Sequence, residues 1–255
     1  MATYAVSDLH GQYQAFLEGL SKIGFGKDDF LYLIGDAIDR GPDGIKILRH
    51  IMREENMDLL IGNHEFMMLN SMDPEGESLT GGKDEMLWLY YNGGDATLRQ
   101  FAKLSPEERK ELLSWLCERV LIKPLEAGGK KFCLTHSGYN EECEDKKYSE
   151  LDYDTVWNIV WRSYYRDEYE THCPFVYENY PYTFLTGHVP VQRIQYGQGR
   201  DPGKLSVEPW IFKNLINIDG GCSMGADSRM PVGAIFYRLD DGEFFPVPLD
   251  KSSER

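Results

Sequence analysis

A chain of 255 residues suffices for one large α/β domain with its own core, and needs no disulfide or structural zinc to hold it. Its 27 Lys and Arg against 42 Asp and Glu give a formal charge of −15, which argues against the basic surface of a nucleic-acid backbone binder. The composition is that of a soluble globular protein, and no run of 18 apolar residues is present to span a membrane.

In chain order, short apolar runs rich in β-branched and aromatic residues alternate with helical patterns. TYAV precedes Ser7-Asp8, FLYLI precedes Gly35-Asp36, MDLLI precedes Gly62-Asn63, KKFCLT precedes His136, and YTFLT precedes Gly187-His188. Each run shows little alternation, as expected of strands covered on both faces. Between them, Tyr13–Ile23 carries Phe16, Leu17, Leu20 and Ile23 at helical spacing. Gly44–Arg53 sets Ile45, Leu48, Ile51 and Met52 opposite Lys46, Arg49, His50 and Arg53. Residues 70–100 mix turn signals with one short helix and are expected to sit on the sheet edge. Ser105-Pro106-Glu107-Glu108 is a capping box with proline at the first helical position, predicting a helix through Leu112, Leu113, Leu116 and Val120. Leu121–Thr135 predicts a hairpin turning at Gly128-Gly129. Residues 143–183 are polar and aromatic, and are expected to cover the domain; Val156, Trp157, Val160 and Trp161 fall on one helical face that packing explains. LINID, VGAIFYRL and EFFPVPL predict closing strands. The whole reads as a single α/β domain over residues 1–255.

The five cysteines (Cys117, Cys133, Cys143, Cys173 and Cys222) are odd in number and lack C-x-x-C spacing, which fits reduced thiols. MATYAVSDLH has no basic stretch followed by an apolar run, so no secretory signal is expected and the cytoplasm is the expected compartment.

The chemistry lies where the strands end. Asp8 and His10, two apart, project to one side of a strand end, and carboxylate with imidazole suits manganese, iron or zinc. Gly35-Asp36-x-x-Asp39-Arg40-Gly41 packs two carboxylates and a phosphate-gripping guanidinium between glycines that allow close approach. Asn63 offers a neutral oxygen and His64 a proton; His136 and His188 repeat the placement at two later strand ends. A lone histidine there is usually structural, but four of the six histidines in equivalent places are another matter. His50, on the polar side of its helix, and His172, in a loop, are left out. If these five strands share a sheet face, their ends gather Asp8, His10, Asp36, Asn63, His136 and His188. The set divides into two mixed nitrogen and oxygen sites bridged by Asp36. Two metals ~3.5–4 Å apart there would clamp both oxygens of a phosphoryl transfer.

The series SDLHG, GDAIDRG, GNHE, LTHSG and TGHVP resembles the metal-dependent Ser/Thr phosphatases of the phosphoprotein-phosphatase (PPP) family. The compact bacterial and bacteriophage members, and the related symmetrical diadenosine tetraphosphatases, are the nearest in pattern. Asn92-Gly93-Gly94, Trp161-Arg162 and Ile218-Asp219-Gly220-Gly221 also look like family landmarks. The resemblance implies a calcineurin-like metallophosphoesterase β-sandwich with flanking helices. It also implies two divalent cations, manganese first, with iron or zinc as alternatives. Asp8, His10 and Asp36 would hold one; Asp36, Asn63, His136 and His188 the other, with a bridging hydroxide attacking phosphorus in line. His64 would protonate the leaving group, Asp39 would orient that imidazole, and Arg40 and Arg162 would grip the phosphate. Departures are Ser7 where the family has glycine, the diglycine of IDGGC for Thr-Gly, and Trp161-Arg162-Ser163 where bacterial members show Trp-x-Arg. The last leaves Arg166 in reserve for Arg162.

The implied activity is a Ser/Thr protein phosphatase acting on phosphoproteins or small phosphorylated compounds. Symmetrical dinucleoside tetraphosphate hydrolysis is the alternative, for which the aromatic run from Tyr148 to Phe184, including Tyr164 and Tyr165, could stack a base. An inactive binding protein would have lost a ligand, and none is missing. The acidity counts against a nuclease and against nucleic-acid or membrane partners.

Overall fold

The computed structural model describes residues 1–162 and 176–250. Arg166, His172, Cys173, Tyr164 and Tyr165 therefore lie outside the described residues. Among those described, ten strands form two five-stranded sheets rather than one. The first runs in the order β10 (Phe244–Pro248), β9 (Gly233–Arg238), β1 (Thr3–Val6), β2 (Phe30–Ile34) and β3 (Met57–Leu60). The second runs β4 (Ile122–Ala127), β5 (Lys130–Thr135), β6 (Thr183–Thr186), β8 (Leu215–Asn217) and β7 (Trp210–Phe212).

The five predicted runs thus divide three and two between the sheets. Parallel β1, β2 and β3 are joined through α1 (Tyr13–Lys22) and α2 (Gly44–Arg53), the crossover that parallel pairing demands. Parallel β5, β6 and β8 form the middle of the second sheet. The pleat explains the uninterrupted apolar runs. Val6, Leu33 and Leu59 pack with Phe16, Leu48 and Ile51 of the helices, whereas Ala5, Ile34 and Leu60 pack with Leu134, Leu185 and Ile216 of the other sheet. Helix α1 lies close on β9 because residue 19 is glycine; a Cβ there would stand 1.9 Å from the Phe236 ring.

Two expectations need correction. The hairpin turns at Gly128-Gly129 as expected, both with positive φ, but the helix from Pro106 stops at Cys117 and Val120 instead bridges to Lys147. Residues 83–101 are largely helical: α4 (Lys83–Met86), a π turn (Leu87–Tyr91) and α5 (Gly94–Phe101). They lie against α2 and α3 (Asn63–Ser71) rather than along a sheet edge, because Trp88, Thr97 and Phe101 bury themselves there. Later, α7 (Tyr153–Trp161) covers α3 through its buried Val156, Ile159 and Val160, and α8 (Val191–Gly197) follows β6.

Candidate metal centre

The carboxyl ends of β1, β2, β3, β5 and β6 meet at one end of the two sheets. Hydrogen bonds carry the β1–β2 ladder past the strands, from Asp8 N to Gly35 O (3.1 Å), His10 N to Asp36 O (2.9 Å) and Gly11 N to Ala37 O (2.8 Å). The side chains reach the cluster only by backbone contortion. Eight described non-glycine residues have positive φ, and six of them are Asp8, His10, Asp36, Asp39, Arg40 and His188. Left-handed backbone is disfavoured for residues with a Cβ, so its concentration here marks a site rather than a set of ordinary turns. Gly35 allows a close approach: a Cβ would lie 2.6 Å from both Gly62 Cα and His136 Nδ1.

Glu65 holds this scaffold. Its buried carboxylate accepts hydrogen bonds from Asp36 N (2.8 Å), Ala37 N (2.9 Å) and Gly62 N (3.0 Å), joining the second and third strand ends. Motif reasoning gives Glu65 no role; its place three residues after Gly62, at a helix start, is the available signal. Asn217 does the same for the fifth strand end. Its buried Nδ2 donates to Gly187 O (3.2 Å) and Val189 O (3.0 Å), bracing both sides of His188.

Two groups of close ligand atoms result, His10–Asp36–His64 and Asp36–His136–His188, each within 4.8 Å. Asn63 Oδ1 lies 2.9 Å from His136 Nε2 and 2.9 Å from His188 Nδ1, which adds it to the second group. Asp36 belongs to both, its Oδ2 standing 3.6 Å from His10 Nε2 and 3.5 Å from His136 Nε2. Asp8 stands beside the groups rather than within them, both its oxygens accepting the His188 N–H (3.1 and 3.0 Å).

These residues fit divalent cations. His10 Nδ1 donates to Ile38 O (3.1 Å) and His136 Nδ1 to Ile34 O (3.0 Å), so each presents a lone pair on Nε2 to the cluster. Burial lowers the pKa of both, His136 to about 4, which keeps the imidazoles neutral and able to ligate. Burial also raises Asp8 and Asp36, reinforced at Asp8 by Asp219 and at Asp36 by Glu65. Crowded buried carboxylates beside neutral imidazoles are a donor set that a cation would relieve of charge.

Beside the cluster stands a proton-handling pair. His64 Nδ1 donates to Asp39 Oδ2 at 2.6 Å, while Nε2 faces the cleft 3.4 Å from Arg40 Nη2. Asp39 is buried and also accepts from Trp88 Nε1 (2.8 Å) and Thr97 Oγ1 (2.6 Å). Burial pushes Asp39 up to about 8, against which those two hydrogen bonds pull it down; burial pushes His64 down. Burial thus disfavours the charged form of both partners, and the short hydrogen bond between them holds the His64 ring in place.

The calcineurin-like phosphoesterase family model matches residues 1–218. The chain belongs to that family. Among curated relatives, this phosphoesterase is 28% identical over 144 residues to a symmetrical bis(5'-nucleosyl)-tetraphosphatase of Buchnera aphidicola, covering 56% of this chain and 46% of that one. It is 30% identical over 154 residues to serine/threonine-protein phosphatase 2 of Salmonella typhimurium, covering 60% of this chain and 65% of that one. The matched stretch thus spans about half to two thirds of those proteins' length. Solved structures share the fold. A protein serine/threonine phosphatase of Saccharomyces cerevisiae superposes with a TM-score of 0.54 at 16% identity, covering 100% of this chain and 81% of that one. A metallophosphoesterase of Sphaerobacter thermophilus gives 0.52 at 13%, covering 98% and 88%.

In the phosphoesterase cleft, of about 530 Å³, the lining includes His10, Asp36, Arg40, Asn63, His64 and His188. Arg162 is not brought to it. Its exposed side chain lines a separate cavity with Tyr139, Asn158 and Tyr180, since the backbone leaves the helical conformation right after α7. Arg193, which no motif marks, lines the main cleft instead. Its position five residues after His188, at the start of a helix that leaves the site, is the only signal in the sequence.

Trp88 and Thr97 reach Asp39 from a segment that its turn signals place, in sequence terms, at the periphery. Trp88→Phe keeps the buried ring but removes one donor from Asp39. On an alkyl phosphate, whose leaving group needs a proton, kcat should fall about tenfold, and less on p-nitrophenyl phosphate, whose leaving group needs none; steady-state kinetics on both checks it.

Proposed function

We propose that this phosphoesterase is a serine/threonine protein phosphatase, hydrolysing phosphomonoesters at the strand-end cluster. The observation that carries the reading is the His64–Asp39 pair, with Nε2 of His64 facing the cleft beside Arg40 and the metal ligands. Expulsion of a seryl or threonyl alkoxide needs a proton at the departing oxygen, whereas a nucleoside diphosphate leaves readily without one. A positioned imidazole is therefore of most use on an aliphatic phosphomonoester.

His10 and Asp36, with Asp8 alongside, would hold one divalent cation, and Asp36, Asn63, His136 and His188 the other; manganese is the ion we assign. Bound cations supply Lewis-acid activation of water and neutralise phosphate charge. The chain's own residues do the rest. Arg40 faces the cleft next to His64 and is placed to grip a phosphate oxygen as charge develops. Asp39 accepts the Nδ1 proton and fixes the His64 ring with Nε2 toward the cleft, from which the imidazolium form would deliver a proton. Asp36, Ala37 and Gly62, tied to Glu65, keep the ligands from spreading when charge changes.

A second reading, symmetrical dinucleoside tetraphosphate hydrolysis, is favoured by the cleft's volume of about 530 Å³ and by Arg193 and Trp210 in its lining. We place the enzyme in the cytoplasm, where its described free thiols, Cys117, Cys133, Cys143 and Cys222, would stay reduced. Among the described residues no helix is long and apolar enough to cross a membrane. The deciding assay supplies Mn²⁺ and compares kcat/KM on a phosphoserine peptide and on diadenosine tetraphosphate. Preference for the peptide is expected; preference for the dinucleotide would replace this reading by the second.

A further inference from the structure

Arg40, His64 and the ligand cluster line one cleft, to which α8 also contributes Arg193 and the edge strand β7 contributes Trp210. A volume of about 530 Å³ is in the range that accommodates a whole small ligand, well beyond one phosphate group.

Several arginines of this acidic chain are held by carboxylates, and others, Arg193 among them, are not. Arg49, Arg99, Arg119 and Arg238 are each paired with a carboxylate, at 2.7, 2.5, 2.7 and 2.6 Å. Among the described residues Arg193 has no carboxylate within ion-pairing distance, although its charge reaches the buried Asp219 behind the cluster, as that of Arg40 does. Two guanidiniums without carboxylate partners among the described residues therefore share one cleft. In the same cleft as Arg193, the Trp210 ring is pinned as a wall: its Nε1 donates to Gln198 Oε1 (3.1 Å) and Phe212 stacks on it, with centroids 5.7 Å apart at 17°. A cation beside a fixed aromatic surface recognises an anion carried on a flat or apolar group.

We propose that Arg193 and Trp210 form a second anion subsite, binding a negative charge of the substrate other than the scissile phosphate. This rests on the phosphoesterase reading and gives it a substrate class: phosphoesters with a further anion near the ester. An acidic side chain flanking phosphoserine is one source of that anion, and a further phosphate is the other. Arg40 then handles the reacting group and Arg193 the neighbour, so specificity is set by residues outside the ligand cluster.

The test compares wild type, Arg193→Gln and Arg193→Lys with Mn²⁺. The substrates are p-nitrophenyl phosphate, two peptides with phosphoserine followed by alanine or by aspartate, and diadenosine tetraphosphate. Arg193 is exposed on α8, so neither variant removes core packing. For Arg193→Gln, the expected loss of kcat/KM is about tenfold greater on a substrate with a second anion than on p-nitrophenyl phosphate, carried by KM and largely restored by lysine. A selective loss on the aspartate peptide assigns the subsite to an acidic residue, and one on the dinucleotide assigns it to a phosphate. Equal losses on all four substrates, or none, would overturn the subsite. Failure of the wild type to hydrolyse any of them would overturn the phosphoesterase reading instead.

Discussion

Replacing His64 with asparagine should lower kcat on a phosphoserine peptide by ~10²–10⁴-fold while KM changes little. The side chain lies beyond the strand-end donors, with Nδ1 committed to Asp39 at 2.6 Å and Nε2 facing the cleft, so its work is proton delivery. Asparagine keeps a hydrogen-bond donor in the pocket but cannot give up a proton at neutral pH. The loss should shrink on p-nitrophenyl phosphate, because p-nitrophenolate departs without protonation. That contrast between leaving groups separates a proton donor from a residue that merely shapes the pocket. Equal loss on both substrates would move His64 into the other role its surroundings permit, since it also groups with His10 and Asp36 as a ligand.

Asp36→Asn should be the more damaging change, on the order of 10³-fold or more, beyond the ~10–100-fold typical of residues that only orient a ligand. Asp36 is the carboxylate common to both ligand groups, and its other oxygen accepts the His64 N–H at 3.1 Å. Asparagine retains the shape and one acceptor while removing the charge. Metal titration should show both binding events weakened, not one. The metal-free variant should nevertheless melt no lower than metal-free wild type, because burial and Glu65 already disfavour the Asp36 charge there. A metal-free variant that melts well below wild type would mean that Asp36 matters for folding rather than for cation binding.

The strand-end motifs were legible because each side of the problem is local. An apolar run of four to six residues fixes a strand, and the next three residues of the chain must project from its carboxyl end. Asp8, His10, Asp36, Asn63, His136 and His188 converge for that reason. The division into two sheets came from the family resemblance, which implies a β-sandwich, and not from the strand pattern, since a strand buried on both faces reads alike whether its neighbour layer is helix or sheet. Supporting residues were harder still. Trp88, Thr97 and Asn217 lie 49, 58 and 29 positions from the residues Asp39 and His188 that they brace, and a tryptophan or asparagine in isolation carries no sign of its partner. Arg193 fell between signals, too far from His188 to join its motif and lacking the tryptophan that draws notice to Arg162. The charge of −15 argues against a nucleic-acid partner; Arg193, lining the cleft with no carboxylate partner among the described residues, makes the local balance there differ from the balance of the chain.

The claim at the centre is that the strand ends hold two cations sharing Asp36. Anomalous scattering from crystals grown with Mn²⁺ tests it directly. The expected result is two peaks per chain, one against His10 and Asp36 and one against Asp36, Asn63, His136 and His188. A single peak, or Mn²⁺ bound only away from these residues, would contradict it.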